Sequence, residues 1–324
     1  MSDPRVIRLT RDQVDRLRTG ATMVLTEPAV FRIDGLGAVD CIQGLLTCDV
    51  VRPGPDSITY GALLTPKGMI VVDFWALRDG SGFTLVAPAD GHLAALDLFR
   101  RQLPPRLARM TDRSGEWLAL WLLGTGVEAV MRDAALPWPH PERLASVPAI
   151  PGPVVVARPE GQAPWGALII GPRETIGGLA ERLATAGAER GEADQLDAVR
   201  VLAGWPALGQ EIDDRTLPQE VRYDEIGGVS YTKGCYVGQE TVARVHFRGH
   251  PNRVLRGLVW AGDAPADRTI MAGEKEVGRL RTVLVVEDRG YGLALLRREV
   301  EPGSEVIAGG RPARVLGLPL APGD

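Results

Sequence analysis

The character of the sequence changes near Val254. Before that point, apolar residues at helical spacing alternate with short β-like runs, a combination typical of α+β folds. After it come the runs VLRGLVW, EVGRLRTVLVV, YGLALLRR, SEVIAGG and ARVLGL, which glycines separate and no helical pattern interrupts. Short strands spaced by turn residues over about seventy residues predict a small all-β barrel or sandwich at the C-terminal end.

The earlier part of the chain predicts mixed secondary structure. Helices are expected at 10–18, 38–46, 90–102, 127–136, 173–186 and 192–203, and strands at 29–33, 59–64, 69–77, 82–87, 117–123, 153–157 and 166–170. Thr10 and Gln13 have the spacing of a capping box, and Asp90 is expected to cap the helix that follows it. Residues 204–256 are interpreted as irregular backbone rich in polar and aromatic side chains, the kind of loop that often carries binding residues.

Composition limits the class of protein. The 324 residues predict two or three domains. Lys and Arg number 37 against 41 Asp and Glu, and the net charge of −4 argues against a surface that binds nucleic acid throughout, leaving a local basic patch open. Three cysteines exclude a disulfide framework and favour a reducing compartment. Residues 1–20 lack a signal-peptide core and no long apolar window occurs, so a cytoplasmic protein outside the membrane is predicted.

The common catalytic and metal-binding motifs are missing from the sequence. It contains no P-loop, no GxGxxG between a strand and a helix, and no HExxH, CxxC or GxSxG. The four histidines are scattered along the chain. No metal site built from protein ligands alone is therefore expected.

The richest segment surrounds Cys235. Lys233 and Gly234 place a cation and a flexible glycine beside this thiol, and a nearby cation lowers the pKa of a cysteine, as Arg244 would if the chain folds back. From the local sequence alone, a reactive thiol and a small buried apolar residue are both compatible with Cys235. Cys41 and Cys48, among apolar neighbours, are interpreted as core residues.

Other residues of this segment also admit two interpretations. Glu211 fits a carboxylate that accepts N–H donors from a flat heterocycle, or a solvated acid beside Asp213 and Asp214. The basic run from residue 244 to 256 suits a polyanion, or one solvated face of a strand. Trp205 and Tyr236 suit stacking on a ring, or packing in the core.

The octapeptide KGCYVGQE at 233–240 resembles the signature of the YgfZ proteins. These are folate-binding relatives of the glycine cleavage T-protein, an aminomethyltransferase, and include mitochondrial iron–sulfur assembly factors. Further segments that resemble the family are FRIDGLGAVDCIQGLLTCDV at 31–50, YGALLTPKG at 60–68, GWPALGQEI at 204–212 and LPQE at 217–220. The octapeptide is highly specific, and the resemblance extends from about residue 30 to residue 320.

The resemblance implies an α+β fold. Two ferredoxin-like α+β units and a C-terminal all-β barrel are expected to form a three-domain ring with a central folate-binding hole. The expected division is a first α+β domain of residues 1–50 and 112–250 that holds the folate site and the KGC motif, a second α+β unit of residues 51–111, and a barrel of residues 251–324.

The resemblance also implies a cofactor and a set of site residues. The cofactor is tetrahydrofolate or another reduced folate. Glu211 is expected to be the pterin-binding carboxylate, and Cys235, beside Lys233, the functional thiol facing the folate cavity. The other expected folate-binding residues are Trp205, Arg244, Tyr236 and Gln239.

The implied function is support of iron–sulfur enzymes, by assembly or repair, including enzymes that modify tRNA. Transient partners would be iron–sulfur proteins or their assembly machinery, and direct binding to tRNA is not expected. One alternative is a folate-dependent aminomethyl- or methyl-transferase, or demethylase, of the T-protein type; another is a pure RNA- or protein-binding module. The T-protein family carries an aspartate that begins a helix and an asparagine that ends a strand, and these fall on Ala94 and Ala87 here. Alanine can neither accept a proton nor stabilise an iminium, so aminomethyl transfer is not expected.

Overall fold

The computed structural model describes residues 5–80, 82–150 and 152–320. The strands are β1 (Arg5–Leu9), β2 (Thr22–Thr26), β3 (Ala29–Asp34), β4 (Ser57–Leu64), β5 (Ile70–Asp79), β6 (Gly82–Ala87), β7 (Arg109–Asp112), β8 (Trp117–Leu123), β9 (Arg143–Val147), β10 (Val154–Arg158), β11 (Ala167–Pro172), β12 (Glu189–Gly191), β13 (Arg253–Ala261), β14 (Thr269–Ala272), β15 (Lys275–Val286), β16 (Arg289–Arg297), β17 (Glu305–Ala308) and β18 (Arg311–Leu316). The α-helices are α1 (Arg11–Thr19), α2 (Ala38–Leu45), α3 (His92–Gln102), α4 (Val127–Asp133), α5 (Arg173–Thr185), α6 (Ala193–Ala203) and α7 (Gln239–Arg248).

The helices form largely where the sequence predicts them. Thr10 accepts a hydrogen bond from the backbone N–H of Gln13, whose side chain bonds back to the backbone of Thr10, so the predicted capping box at α1 is confirmed. Asp90 does not cap α3, because it lies within a short 3₁₀ turn that precedes the helix. In the described part of the chain, no helix is both long and apolar enough to cross a bilayer.

One sheet joins the two α+β units. Its strand order is β12-β2-β8-β11-β10-β9-β4-β5-β6-β3-β7, and its halves meet where Ser57 of β4 pairs with Arg143 of β9. Side chains alternate between its faces, as strand geometry requires. On β5, Val72, Phe74 and Ala76 face a core that includes residues of α2 and α3, whereas Leu77 packs in the core at the centre of the molecule. The remaining half-sheet is covered in the same way by α4 and α5.

The barrel closes at the C-terminal end. Its six strands run β15-β14-β17-β18-β13-β16, β16 pairs back with β15, and β1 from the chain's other end adds to β15 in parallel. The predicted α+β class with a C-terminal all-β barrel is therefore confirmed. Apolar side chains such as Leu258 and Val283 fill the barrel, while its outer face contributes Leu284 and Leu293 to the central core.

Two details differ from the sequence-based prediction. Residues 239–248 form α7, so the basic run begins on a helix and not on irregular backbone or a strand. The domain boundary at residue 50 stays a prediction, but β3 pairs with β6 and β7, and α2 packs with them, which favours grouping residues 29–45 with the second unit.

Candidate functional site

A cavity of about 520 Å³ opens where the central sheet meets the loops that follow α6. Its wall comes from β4 and β5, the segment 159–163 and the loop residues 224–230. Three aromatic residues and five carboxylates line it, namely Tyr60, Trp75, Trp205, Asp49, Glu142, Glu160, Asp224 and Glu225. A concave site with aromatic walls and a few polar groups is the usual form of a small-molecule site.

The aromatic wall is built by strand register and a helix end. Tyr60 and Trp75 are cross-strand partners on β4 and β5, and so lie on one face of the sheet. Gly204, with φ of 65°, ends α6 in the left-handed conformation, and Trp205 follows it into the cavity wall. The indole of Trp205 is stacked on that of Trp75, with 5.4 Å between centroids and 13° between planes. These rings offer flat surfaces to a flat heterocycle.

A buried polar chain lies behind the aromatic wall. The hydroxyl of Tyr60 donates to Oδ2 of Asp73 at 2.9 Å and lies 3.1 Å from the hydroxyl of Tyr223. Asp73 is 7% exposed, and its Oδ1 has no hydrogen-bond partner among the described residues. Burial, opposed by the bond from Tyr60, raises the pKa of Asp73 to about 6. Asp73 therefore titrates just below neutral pH, in contact with a residue of the cavity wall.

The cavity wall is acidic, because neither lysine nor arginine belongs to its described lining. Burial, together with the charge of Glu160, raises the pKa of Glu142. Asp224 accepts from the Tyr231 hydroxyl, and Glu225 pairs with Arg222 at 2.8 Å. Arg143 only partly offsets the repulsion between Glu142 and Glu160, and a ligand that presents N–H donors would reduce it further.

The segment around the KGC motif is hydrogen-bonded to the loop that follows α2. The hydroxyl of Thr47 donates to the carbonyl oxygen of Gly228 at 2.5 Å, and the N–H of Ser230 donates to the carbonyl oxygen of Thr47 at 2.9 Å. Lys233 donates from Nζ to the carbonyl oxygens of Leu46 at 2.7 Å and Cys48 at 2.6 Å. These bonds fix Cys48 and its neighbour Asp49 in the cavity wall.

The side chains of Lys233 and Cys235 lie in different surroundings. Lys233 is 8% exposed, and its ammonium bonds inward to two carbonyl oxygens, whereas Cys235 is exposed to solvent. Cys235 is not among the described residues that line the cavity; the cysteine that does is Cys48, whose pKa burial raises. Cys41 is only partly buried.

Glu211, the expected pterin-binding carboxylate, is bonded within the protein. Its carboxylate is fully buried, and accepts from Nη1 of Arg200 at 2.8 Å, from the N–H of Ala207 at 3.1 Å and from the hydroxyl of Thr282 at 2.5 Å. Both oxygens are thereby bonded to protein donors, and Glu211 is absent from the described lining of the cavity. Glu211 fastens its loop to β15 of the barrel.

The other predicted folate residues are dispersed. Trp205 lies in the cavity wall, whereas Arg244 is exposed on α7 and Gln239 begins that helix. The ring of Tyr236 is buried 5.2 Å from Nζ of Lys233, and its hydroxyl has no partner among the described residues. Burial and the charge of Asp224 raise the pKa of Tyr236 to about 12.

Tyr60, Trp75 and Asp73 were not predicted as site residues from the sequence. Asp73 stands in the apolar run IVVDFWAL, where a carboxylate in a strand signals a buried polar group that needs a partner. Counting by two along that strand puts Trp75 on the same face as Asp73. The pairing of Trp75 with Tyr60 depends on the register of β4 and β5, which the sequence does not specify.

The comparisons with known proteins agree with this architecture. Residues 8–149 match the GCVT N-terminal domain, and residues 251–319 match the CAF17 C-terminal beta-barrel domain. The chain is 28% identical to the tRNA-modifying protein YgfZ of Vibrio vulnificus over 315 residues, which cover 92% of this chain and 93% of the relative. It is 29% identical to an aminomethyltransferase of Rubrobacter xylanophilus, with 92% and 84% covered.

A solved structure shares the fold. Aminomethyltransferase T of the glycine cleavage system from Bartonella henselae superimposes with a TM-score of 0.84 at 20% identity, covering 96% of this chain and 89% of that one. At this identity the likeness shows the fold alone.

Proposed function

Because the chain belongs to the YgfZ family, we propose that it binds a reduced folate in the central cavity and acts as a YgfZ-like factor that supports iron–sulfur enzymes. The relatives named tRNA-modifying proteins make enzymes that modify tRNA the first class of client to examine. The observation that carries the proposal is the cavity itself, with its stacked Trp75 and Trp205 and its acidic lining.

The chemistry of a reduced pterin suits this cavity. The bicyclic ring presents flat faces to the aromatic wall, and its amino group and ring N–H groups are hydrogen-bond donors. Glu142 and Glu160 supply carboxylate acceptors close enough to repel each other, so donors from a ligand would be doubly favourable there. An anionic ring would be repelled by the same wall.

The aminomethyl transfer of the T-protein is not part of the proposal. Ala87 ends β6 and Ala94 is exposed in the first half of α3, so methyl groups stand where the sequence resemblance expects an amide and a carboxylate. The neighbouring acid Asp97 pairs with Arg101 on the surface of the same helix. Purified protein, supplied with aminomethylated lipoyl carrier and tetrahydrofolate, should release no ammonia above background; turnover would favour the transferase alternative.

Cys235 is proposed as the functional thiol because its side chain is exposed to solvent and to partner proteins. Its side chain is exposed on the segment that Lys233 and Ser230 fasten to the α2 loop. An exposed sulfur on a fixed segment can reach a client protein without any opening of the fold. Cells that carry Cys235→Ser should lose activity of iron–sulfur enzymes, whereas cells that carry Cys41→Ser should keep it in proportion to the folded protein.

Folate binding is tested by anaerobic calorimetry with tetrahydrofolate. Loss of one stacking ring costs about 1–3 kcal/mol, so Trp75→Ala should weaken binding by roughly 5- to 150-fold. Trp117→Ala is the matched control, because this partly buried tryptophan begins β8 and does not line the cavity. Equal affinity in wild type and Trp75→Ala would place the folate elsewhere, and an absence of heat with wild type would refute folate binding.

A further inference from the structure

A second groove, distinct from the central cavity, is lined with arginines. Its volume is about 610 Å³, and it lies between the loop 209–215 and the barrel. Five arginines and two aspartates contribute to its wall, namely Arg215, Arg253, Arg268, Arg279, Arg281, Asp213 and Asp214. We call it the arginine groove. Such a concentration of one charge is unexpected in a chain whose net charge is −4.

The fold assembles this groove from distant parts of the chain. Arg279 and Arg281 lie two residues apart on β15, where the pairing with β16 is irregular between Leu280 and Thr282. Irregularities of this kind redirect side chains. The loop is held against the strand by the bond from Thr282 to Glu211 and by the ion pair between Arg281 and Asp213 at 3.0 Å.

Of the three carboxylates in and behind the groove, Asp213 and Glu220 are already engaged by protein donors. Asp213 accepts from Arg281, from the N–H of Arg215 and from the hydroxyl of Thr216. Burial alone would raise the pKa of Asp213, but these donors lower it, so the Asp213 carboxylate stays ionised. Glu220 pairs with Arg253 through both oxygens at 2.9 Å. The arginines still outnumber the carboxylates when Glu220 is included.

One arginine of the groove has a hydrogen-bond donor that no acceptor in the described part of the chain uses. Nε of Arg281 is buried and has no hydrogen-bond partner among the described residues, although Nη2 bonds to Asp213. Arg215 and Arg279 are exposed on opposite walls, the loop and the strand. Guanidinium groups set on a fixed frame match the paired oxygens of phosphates more closely than any other side chain.

We propose that the arginine groove binds the phosphodiester backbone of RNA. The described lining contains no aromatic ring on which a base could stack, so the contacts would be to phosphates and would carry little sequence preference. A free nucleotide is the less suitable occupant for the same reason, since nothing in the lining stacks on its base. This inference is independent of folate binding, because the groove and the central cavity share no lining residue.

The test is fluorescence anisotropy with a labelled single-stranded RNA of about 16 nucleotides, titrated between about 50 and 200 mM salt. The double variant Arg215→Glu/Arg279→Glu should bind RNA at least about tenfold more weakly. When the logarithm of the binding constant is plotted against the logarithm of the salt concentration, the slope should be shallower by about two. The control Arg101→Glu/Arg132→Glu changes the net charge equally on α3 and α4, at exposed positions. Calorimetry with tetrahydrofolate and thermal unfolding establish that both variants are folded.

Each outcome decides the proposal. Weaker binding in the groove variant alone supports it. Equal binding in wild type and the groove variant, an equal loss in both double variants, or no binding by wild type at the lowest salt would overturn it. Competition by AMP or inorganic phosphate as strong as that of RNA would replace RNA with a small phosphate ligand, and equal competition by polyglutamate would replace it with a generic polyanion.

Discussion

Lys233 carries a charge that the fold holds away from water. Burial, opposed by Cys48 and Asp49, lowers the pKa of Lys233 from its ordinary value of 10.5 to about 8. One pKa unit corresponds to about 1.4 kcal/mol, so at neutral pH the charged lysine destabilises the folded state by about 3 kcal/mol. The two hydrogen bonds to the carbonyl oxygens of Leu46 and Cys48 offset part of this cost.

The sign of the pH dependence follows from the two protonation states. The folded chain releases the Lys233 proton near pH 8, whereas the unfolded chain keeps it to about pH 10.5. Between these values the unfolded chain binds more protons, so the free energy of unfolding should rise with pH, by up to about 1.4 kcal/mol per unit. Lys233→Met removes the titrating group, so this rise should disappear.

Urea unfolding of wild type, Lys233→Met and Lys67→Met between about pH 7 and pH 10 measures the effect. Lys67 is exposed, so its variant should follow wild type. From pH 7 to pH 10, wild type should gain about 2–3 kcal/mol of stability relative to Lys233→Met, because the contributions of tyrosines and cysteines are common to both proteins. A constant difference at every pH would show that the ammonium is not desolvated, and would refute the reasoning.

Three further predictions concern buried groups. Glu211→Gln should lower the free energy of unfolding, measured by urea denaturation, by about 3–5 kcal/mol, because it breaks a buried ion pair with Arg200. A loss below about 1 kcal/mol would contradict that arrangement. Asp73→Asn should raise the free energy of unfolding at pH 7. This gain over wild type should shrink below the pKa of about 6, where wild-type Asp73 gains its proton. Equal stability of the two proteins at pH 7 would argue against an ionised, desolvated carboxylate. Cys48→Ser should lower the melting temperature and Cys235→Ser leave it unchanged, since only the first thiol is buried; the reverse order would contradict the placement of both.

The fold was accessible from sequence because its signals are local. The capping box of α1, the period of α5 and the glycine-separated runs after Val254 each act within a few residues, and each produced the expected element. Residues 239–248 were misjudged because glycines at 234 and 238 and the histidines that follow resemble a loop, whereas Val242, on the buried side of α7, packs in the central core.

The site was less accessible because its geometry is non-local. Trp205 was singled out from the sequence and lies in the cavity wall. Its partners Tyr60 and Trp75 depend on strand register, and the five carboxylates of the wall come from four separate segments. The role expected of Lys233 assumed that its charge acts on the thiol two positions away, and the role expected of Glu211 came from the family resemblance. Burial directs Lys233 to carbonyl oxygens almost 190 positions away, and Glu211 to a barrel strand seventy-one positions away.

The arginine groove follows from the same separation of sequence and space. Its basic residues extend from position 215 to position 281, so no window of the sequence displays them together. The loop between Trp205 and Asp213 contributes to both proposed sites: Arg200 bonds to the carbonyl oxygen of Trp205 and to Glu211, and Glu211 bonds to the residue next to Arg281. A substitution at Glu211 would therefore disturb the central cavity and the arginine groove together. Its effect on binding would not show which of the two sites holds the ligand. Trp75 and the Arg215/Arg279 pair lie outside this hydrogen-bonded chain, which is why their variants can separate folate binding from RNA binding.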